Sequence, residues 1–265
     1  MKIFISADIE GTTGIVNWEE TDLEKNASVY FRQQMTREVK AACDGALEFG
    51  ADEILVKDAH DSARNIDPSK LPEKAKIFRG WARNPLIMMA GLDKSFDGVI
   101  FTGYHSAAGT NGNPLAHTMN TQNEYVRING EFASEFIINS YTAAYFGVPV
   151  LFLSGDKQLC ETAEKLNKHI KTVAVSEGIG NGSISINPDV AVAKIKNEIA
   201  QIKGDELSKY IIKLPQGFKI EIFFKEHYLA YKGSFYPGVT QTGPKTIEYE
   251  ANDYMDVLKF LFFVL

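Results

Sequence analysis

Cysteine is nearly absent from this 265-residue chain, which has only Cys43 and Cys160. Two thiols cannot make a disulfide framework or a cysteine-rich structural metal site, and both lie in amphipathic stretches, so both are expected reduced and buried. Cationic runs are missing too. A net charge of -6 with no lysine or arginine cluster argues against nucleic acid or an anionic membrane as the main partner and favours a small or cationic ligand. The opening MKIFISADIE meets acids by position 8 and lacks the length and cleavage site of a secretory signal, so a cytoplasmic location is expected. No apolar run reaches the ~20 residues of a membrane span. The apolar C-terminus VLKFLFFVL reads instead as a last helix packed into the core or a subunit interface. Internal repeats and low-complexity segments are lacking as well.

What is present is enough apolar residue, 45% of the chain, to bury a large core. In the first half, KIFIS (2–6), EILV (53–56), GVIFTG (98–103) and VPVLFLS (148–154) alternate with helical patterns. That alternation predicts an α/β fold, a mostly parallel sheet covered by helices. Phe31, Met35, Val39, Ala42 and Ala46 recur at helical spacing before Gly50, which marks a crossover helix and its C-cap. Asn129-Gly130 in YVRINGEFA predicts a hairpin within an insertion at about 114–133, followed by a helix from Ser134 to Phe146 and another from Lys157 to Lys168. SEGIGNGS (176–183) reads as a linker. The expected division is therefore a metal-site α/β domain over 1–180 and a smaller α+β domain over 181–265. In the latter, Asn187 and Pro188 open a helix closing at Gly204, FKIEIFFK and TIEYEA alternate as strands, and Asn252 caps a last helix.

Ligands in open α/β sheets gather beyond the carboxyl ends of the strands. There the chain places Asp8 and Glu10, then Asp58 and His60, then His105. Residues two apart on extended backbone face the same way, so each doublet can address one point. Of the five histidines, His60, His105 and His117 fall where such a site is expected, while His169 and His227 do not. Any of these could be a hydrogen-bonded core histidine and any acid a helix cap, but independent strand ends supplying acid, acid and histidine together favour a metal site. Imidazole and carboxylate without thiolate suit zinc, manganese or iron(II). Three carboxylates around one divalent ion leave a net negative ligand set, whereas around two they leave one positive charge, so a dinuclear centre bridged by Asp8 is favoured. Such a pair polarises a carbonyl and activates shared water for hydrolysis. Asp58 is expected to orient His60 or equally to cap the following loop, and Gly11, Gly14 and Gly103 to serve tight turns or close backbone approach.

ADIEGTTG, VKDAHDSARN, FTGYHS, AHTMN, INGEFASE and VPVLFLSGD together resemble, in order, the motifs of the dipeptide-transport-associated D-aminopeptidases, a family of zinc metallopeptidases. The resemblance covers most of the chain and is densest before residue 157. It implies two zinc ions per subunit, with Asp8 as bridge, Glu10 and His60 on one ion, and His105 and Glu135 on the other. Spacing alone leaves Glu131 and Glu135 equal; the resemblance selects Glu135, at the start of the helix after the hairpin. It assigns His117 the catalytic role. The implied activity is release of an N-terminal D-amino acid, such as D-alanine, from short peptides by a large ring-like homo-oligomer, commonly a decamer. In that reading His117 acts as general base and then protonates the leaving amine, with direct nucleophilic attack as the variant. Two other functions stay open at this stage. One is a dinuclear metallophosphoesterase, against which the lack of a phosphate-cradling motif counts; the other is a non-catalytic peptide-binding or transport-accessory protein.

Overall fold

The computed structural model describes residues 1–265. Its first half runs β1 (Lys2–Ala7), α1 (Ser28–Phe49), β2 (Glu53–Asp58), β3 (Ala75–Phe78), β4 (Gly98–Tyr104), β5 (Asn123–Ile128), β6 (Glu131–Phe132) and α2 (Glu135–Tyr145). The second half runs β7 (Val150–Asp156), α3 (Lys157–Leu166), β8 (Lys171–Ile179), β9 (Gly182–Ser185), α4 (Pro188–Ala200), β10 (Phe218–Phe224), α5 (His227–Gly233), β11 (Thr240–Gln241), β12 (Thr246–Ala251) and α6 (Tyr254–Val264).

A seven-stranded sheet has the order β3-β2-β1-β4-β7-β8-β9, all parallel except β9. Its central strands β4 and β7 are buried along their whole length, which is why they read as unbroken apolar runs: helices cover both faces. On one face α1 presents Met35, Val39, Ala42 and Ala46 to a core it shares with Ile195 and Ile199 of α4. On the other, Phe136 of α2 and Leu159 of α3 join Phe101 and Leu153. The left-handed Gly50 ends α1, its amide bonding the carbonyls of Ala46 and Leu47. The mostly parallel, helix-covered α/β architecture is the one expected.

A second, antiparallel sheet of order β11-β12-β10-β5-β6 stacks beside the first. Its core holds Val126, Ile220 and Ile247 against Val257, Leu258 and Leu261 of α6. The C-terminal apolar run is thus a packed helix, as expected, and no helix is long and apolar enough to cross a membrane. Helix α2 lies between the sheets, giving Phe136 to one core and Ile138 to the other. Cys43 and Cys160 are free and buried.

Three local expectations change. SEGIGNGS is not a linker: residues 171–185 form the β8–β9 hairpin, turning at Gly180 with φ +58°. The short β3, four residues of which none is fully buried, escaped the pattern. Asp253, not Asn252, caps α6 by accepting the Met255 amide. The expected division at 180/181 falls at the turn of that hairpin, α4 beyond it packs on α1, and the Asn129-Gly130 hairpin pairs through β5 with β10.

Candidate metal centre

Strand β1 lies between β2 and β4, where the chain switches direction across the sheet and a crevice opens beyond the strand ends. Backbone bonds persist past β1, from the Asp8 amide to the Thr102 carbonyl (2.9 Å) and from the Gly11 amide to the Gly103 carbonyl (2.8 Å). The contact is close. A Cβ on Gly11 would stand 1.8 Å from the Tyr104 carbonyl oxygen, and one on Gly103 would stand 2.2 Å from that of Asp8, so close approach requires both glycines.

These strand ends, the start of α2 and the connection before β5 bring the six predicted residues together. His60 Nδ1 lies 3.3 Å from Asp8 Oδ1 and 3.1 Å from Glu10 Oε2. His105 Nε2 lies 3.5 Å from Asp8 Oδ2 and 3.4 Å from Glu135 Oε2. The two oxygens of Asp8 therefore face two different histidines. Glu135 arrives on the first turn of α2, whose N-cap Ser134 accepts the Ile137 amide. Its other oxygen accepts the Met119 amide at 2.6 Å and stands 3.5 Å from His117 Nε2. Glu131, the competing acid, lies exposed on β6.

The outer nitrogen of each imidazole is held by a backbone carbonyl: His60 Nε2 by Thr21 (3.2 Å), His105 Nδ1 by Ser106 (3.0 Å) and His117 Nδ1 by Leu115 (2.9 Å). In the neutral ring each nitrogen facing the site is then a lone pair, the form that binds metal or takes a proton. Asp58 does not orient His60. It accepts the amides of Asn65 (2.6 Å) and Ile66 (2.8 Å) and shapes the loop, while Asn65 Nδ2 holds the His60 carbonyl. Asp156 similarly caps α3 and receives the Ser106 amide and hydroxyl beside His105.

The charges are costly without a counter-ion. Burial, then the charge of Glu10, pushes the Asp8 carboxyl well above the usual range, against the opposing contact with His60. Burial would lower the histidines, but Glu10 and Asp8 lift His60 well above its ordinary value and Glu135 lifts His105 to about 10. Burial opposes ionisation of Glu10 and Glu135 as well, yet the facing histidines hold both low, Glu135 at about 2. Burial and the neighbouring His105 lower His117 instead.

Three observations show that this donor set fits divalent metal. Asp8 Oδ2, Glu10 Oε2 and His105 Nε2 are buried without a hydrogen-bond partner. Donors about 2.0–2.2 Å from one tetrahedral ion stand about 3.3–3.6 Å apart, close to the 3.1–3.5 Å seen here. The sets Asp8-Glu10-His60 and Asp8-His105-Glu135 are each fully buried and share only Asp8; a third, Glu10-His105-His117, borrows from both and includes the less buried His117.

The centre floors a cleft of about 840 Å³. Residues the sequence reading passed over line it: both tryptophans, Trp18 and Trp81, and Met119 and Phe262. Trp18 packs edge-on to His117, which stacks on His105 at 4.3 Å. Asn113 also escaped notice; its Nδ2 holds the Glu10 carbonyl at 3.1 Å. For Trp18 a signal existed, since Asn17 and Glu20 form a capping box around it. For Asn113, bonded 103 positions away, none did.

Comparison with known proteins points to one family. A family model described as D-aminopeptidase, peptidase family M55, matches residues 1–263. The D-aminopeptidase of Bacillus subtilis (strain 168) is 29% identical over 258 residues, spanning 97% of this chain and 93% of that one. The solved structure of the Zn-dependent D-aminopeptidase DppA from Bacillus subtilis, described as a self-compartmentalizing protease, matches 100% of this chain and 96% of its own with a TM-score of 0.92 at 28% identity.

Proposed function

The chain belongs to the D-aminopeptidase family, and on that premise we propose that it removes the N-terminal D-residue, such as D-alanine, from short peptides with two zinc ions. Asp8 would bridge them, with Glu10 and His60 on one side and His105 and Glu135 on the other. The observation that carries this reading is the division of Asp8, one oxygen toward His60 and the other toward His105. When bound, the zinc pair supplies a Lewis acid for the scissile carbonyl and lowers the pKa of water.

The remaining work falls to side chains. His117, its Nδ1 bound to the Leu115 carbonyl, offers Nε2 to take the proton of the attacking water and pass it to the leaving amine. Its stack on His105 and the edge of Trp18 limit the swing of the ring and keep bulk water from one side. The acids not assigned to metal, Glu19, Asp22 and Asp61, attract the free amine of the peptide. Trp81, Ile87 and Met88 in the walls offer apolar surface to its side chains.

The relative described as self-compartmentalizing supports a homo-oligomer here as well, of decameric size in this reading, acting in the cytoplasm. Zinc-loaded protein should cleave D-alanyl dipeptides faster than their L-alanyl counterparts and leave an aryl phosphate intact. Cleavage of the phosphate alone, or peptide affinity without cleavage, would overturn the proposal.

A further inference from the structure

With Asp8, Glu10 and Glu135 offset by metal in the reading above, the cleft keeps three further acids, Glu19, Asp22 and Asp61, and only two permanent cations, Lys25 and Arg83. A free peptide brings an amine and a carboxylate. The amine has those three acids to meet, and away from the metal ligands only the two cations offer the carboxylate a partner. Neither cation is paired: no carboxylate of the chain lies within ion-pair distance of either, and neither side chain has a hydrogen bond within the chain.

Arg83 is the better placed of the two. Its loop is anchored just before it: the buried Lys57 ammonium donates to the Asp58 and Gly80 carbonyls (2.6 and 2.7 Å), and Trp81 Nε1 donates to the Asp61 carbonyl (2.6 Å). Arg83 itself is held at φ +56°, and four of the six non-glycine residues with positive φ, Asp61, Arg83, Ile87 and Met119, line the cleft. A guanidinium on an anchored loop also binds a carboxylate through two parallel N–H bonds, which a lysine ammonium cannot do.

We infer that Arg83 receives the free C-terminal carboxylate of the substrate, so that the cleft selects peptides short enough to place amine and carboxylate in one cavity. This rests on the metallopeptidase reading above and adds the end of the substrate that reading leaves unassigned.

The test compares a D-alanyl dipeptide with its C-terminal amide on zinc-loaded wild type, Arg83→Gln and Arg83→Lys, with zinc content measured for each. Wild type should prefer the free acid by about 10–100-fold in kcat/KM, the range of one charged hydrogen-bonded pair. Arg83→Gln should lose that preference through KM, with the amide unaffected and zinc unchanged, and Arg83→Lys should restore part of it. Calorimetry with a reduced-bond dipeptide should show the same loss of binding. Equal rates on acid and amide in wild type, or equal losses on both in Arg83→Gln, overturn the inference while the peptidase reading stands. Wild type that cleaves neither peptide and does not bind the analogue sinks both.

Discussion

The parallel sheet supplies Asp8, Glu10, His60 and His105 from segments that leave β1, β2 and β4 while still bonded to their neighbours, as the Ala59 amide is to the Ala7 carbonyl (2.8 Å). The antiparallel side supplies Glu135 and His117 through connections. There Thr118 Oγ1 donates to the Ala133 carbonyl (2.9 Å), the Met119 amide to Glu135 (2.6 Å), and the Tyr254 hydroxyl to the Ile138 carbonyl (2.6 Å). One half of the site is thus part of a ladder buried on both faces. The other depends on a few bonds between layers. Damage to the first, or to Glu135 where the second meets it, should cost metal, and damage at His117 should cost chemistry with the metal retained.

The largest effect tests that contrast at Asp8. Asp8→Asn should lose zinc from both positions, His60→Ala and Glu135→Ala from one each, with activity falling at least about a thousandfold; metal analysis of the purified variants reads this out. Identical zinc content in wild type, His60→Ala and Glu135→Ala would break the comparison. Next in size, His117→Ala should keep both ions and lower kcat by about 10²–10⁴-fold. A variant that turns over near the wild-type rate would take His117 out of the chemistry.

How much of this could be read from sequence follows the same contrast. Asp8, Glu10, His60 and His105 are each local to a strand end, so hydrophobic runs and two-residue spacing reveal them. Glu135 needs the β5–β6 hairpin and α2 to be placed between two sheets, and spacing alone could not separate it from Glu131. The role of Thr21 was invisible for another reason. Which carbonyl holds His60 depends on a loop 39 residues earlier in the chain, and a backbone carbonyl leaves no mark on residue type. The β8–β9 hairpin was hidden by the glycines of its own turn, which look the same in a linker.

Smaller effects sharpen the comparison within each half. Asp58→Ala strands the buried amides of Asn65 and Ile66 and should cost about 2–3 kcal/mol in urea unfolding. Because the His60 loop loosens with it, zinc affinity should also fall by about tenfold or more. Tyr254→Phe, across the layers, should cost about 1 kcal/mol with zinc affinity unchanged. If Tyr254→Phe released zinc as readily as Asp58→Ala, the two halves would not differ in the way argued.

The smallest effect concerns Lys57, whose side chain is buried beneath Trp81, 4.4 Å from the ring. Burial, opposed by the charge of Asp58, pushes its ammonium down to about 8, whereas the unfolded chain titrates near 10.4. Below both values the group is charged in both states and the folded chain bears the full penalty. Between them the unfolded chain holds a proton the folded one has released, so this lysine's contribution to stability rises with pH and levels off above the unfolded value. A neutral amine still has two N–H groups for the Asp58 and Gly80 carbonyls it serves, so the anchor survives deprotonation. Relative to Lys57→Met, wild type should therefore gain about 1–2 kcal/mol between pH 8 and 10.4, allowing for partial solvation. Urea unfolding of both proteins across that window measures the gain, and the difference cancels the tyrosines that titrate there in both. A flat difference would mean that the ammonium is solvated after all and that burial beneath Trp81 does not disfavour its charge.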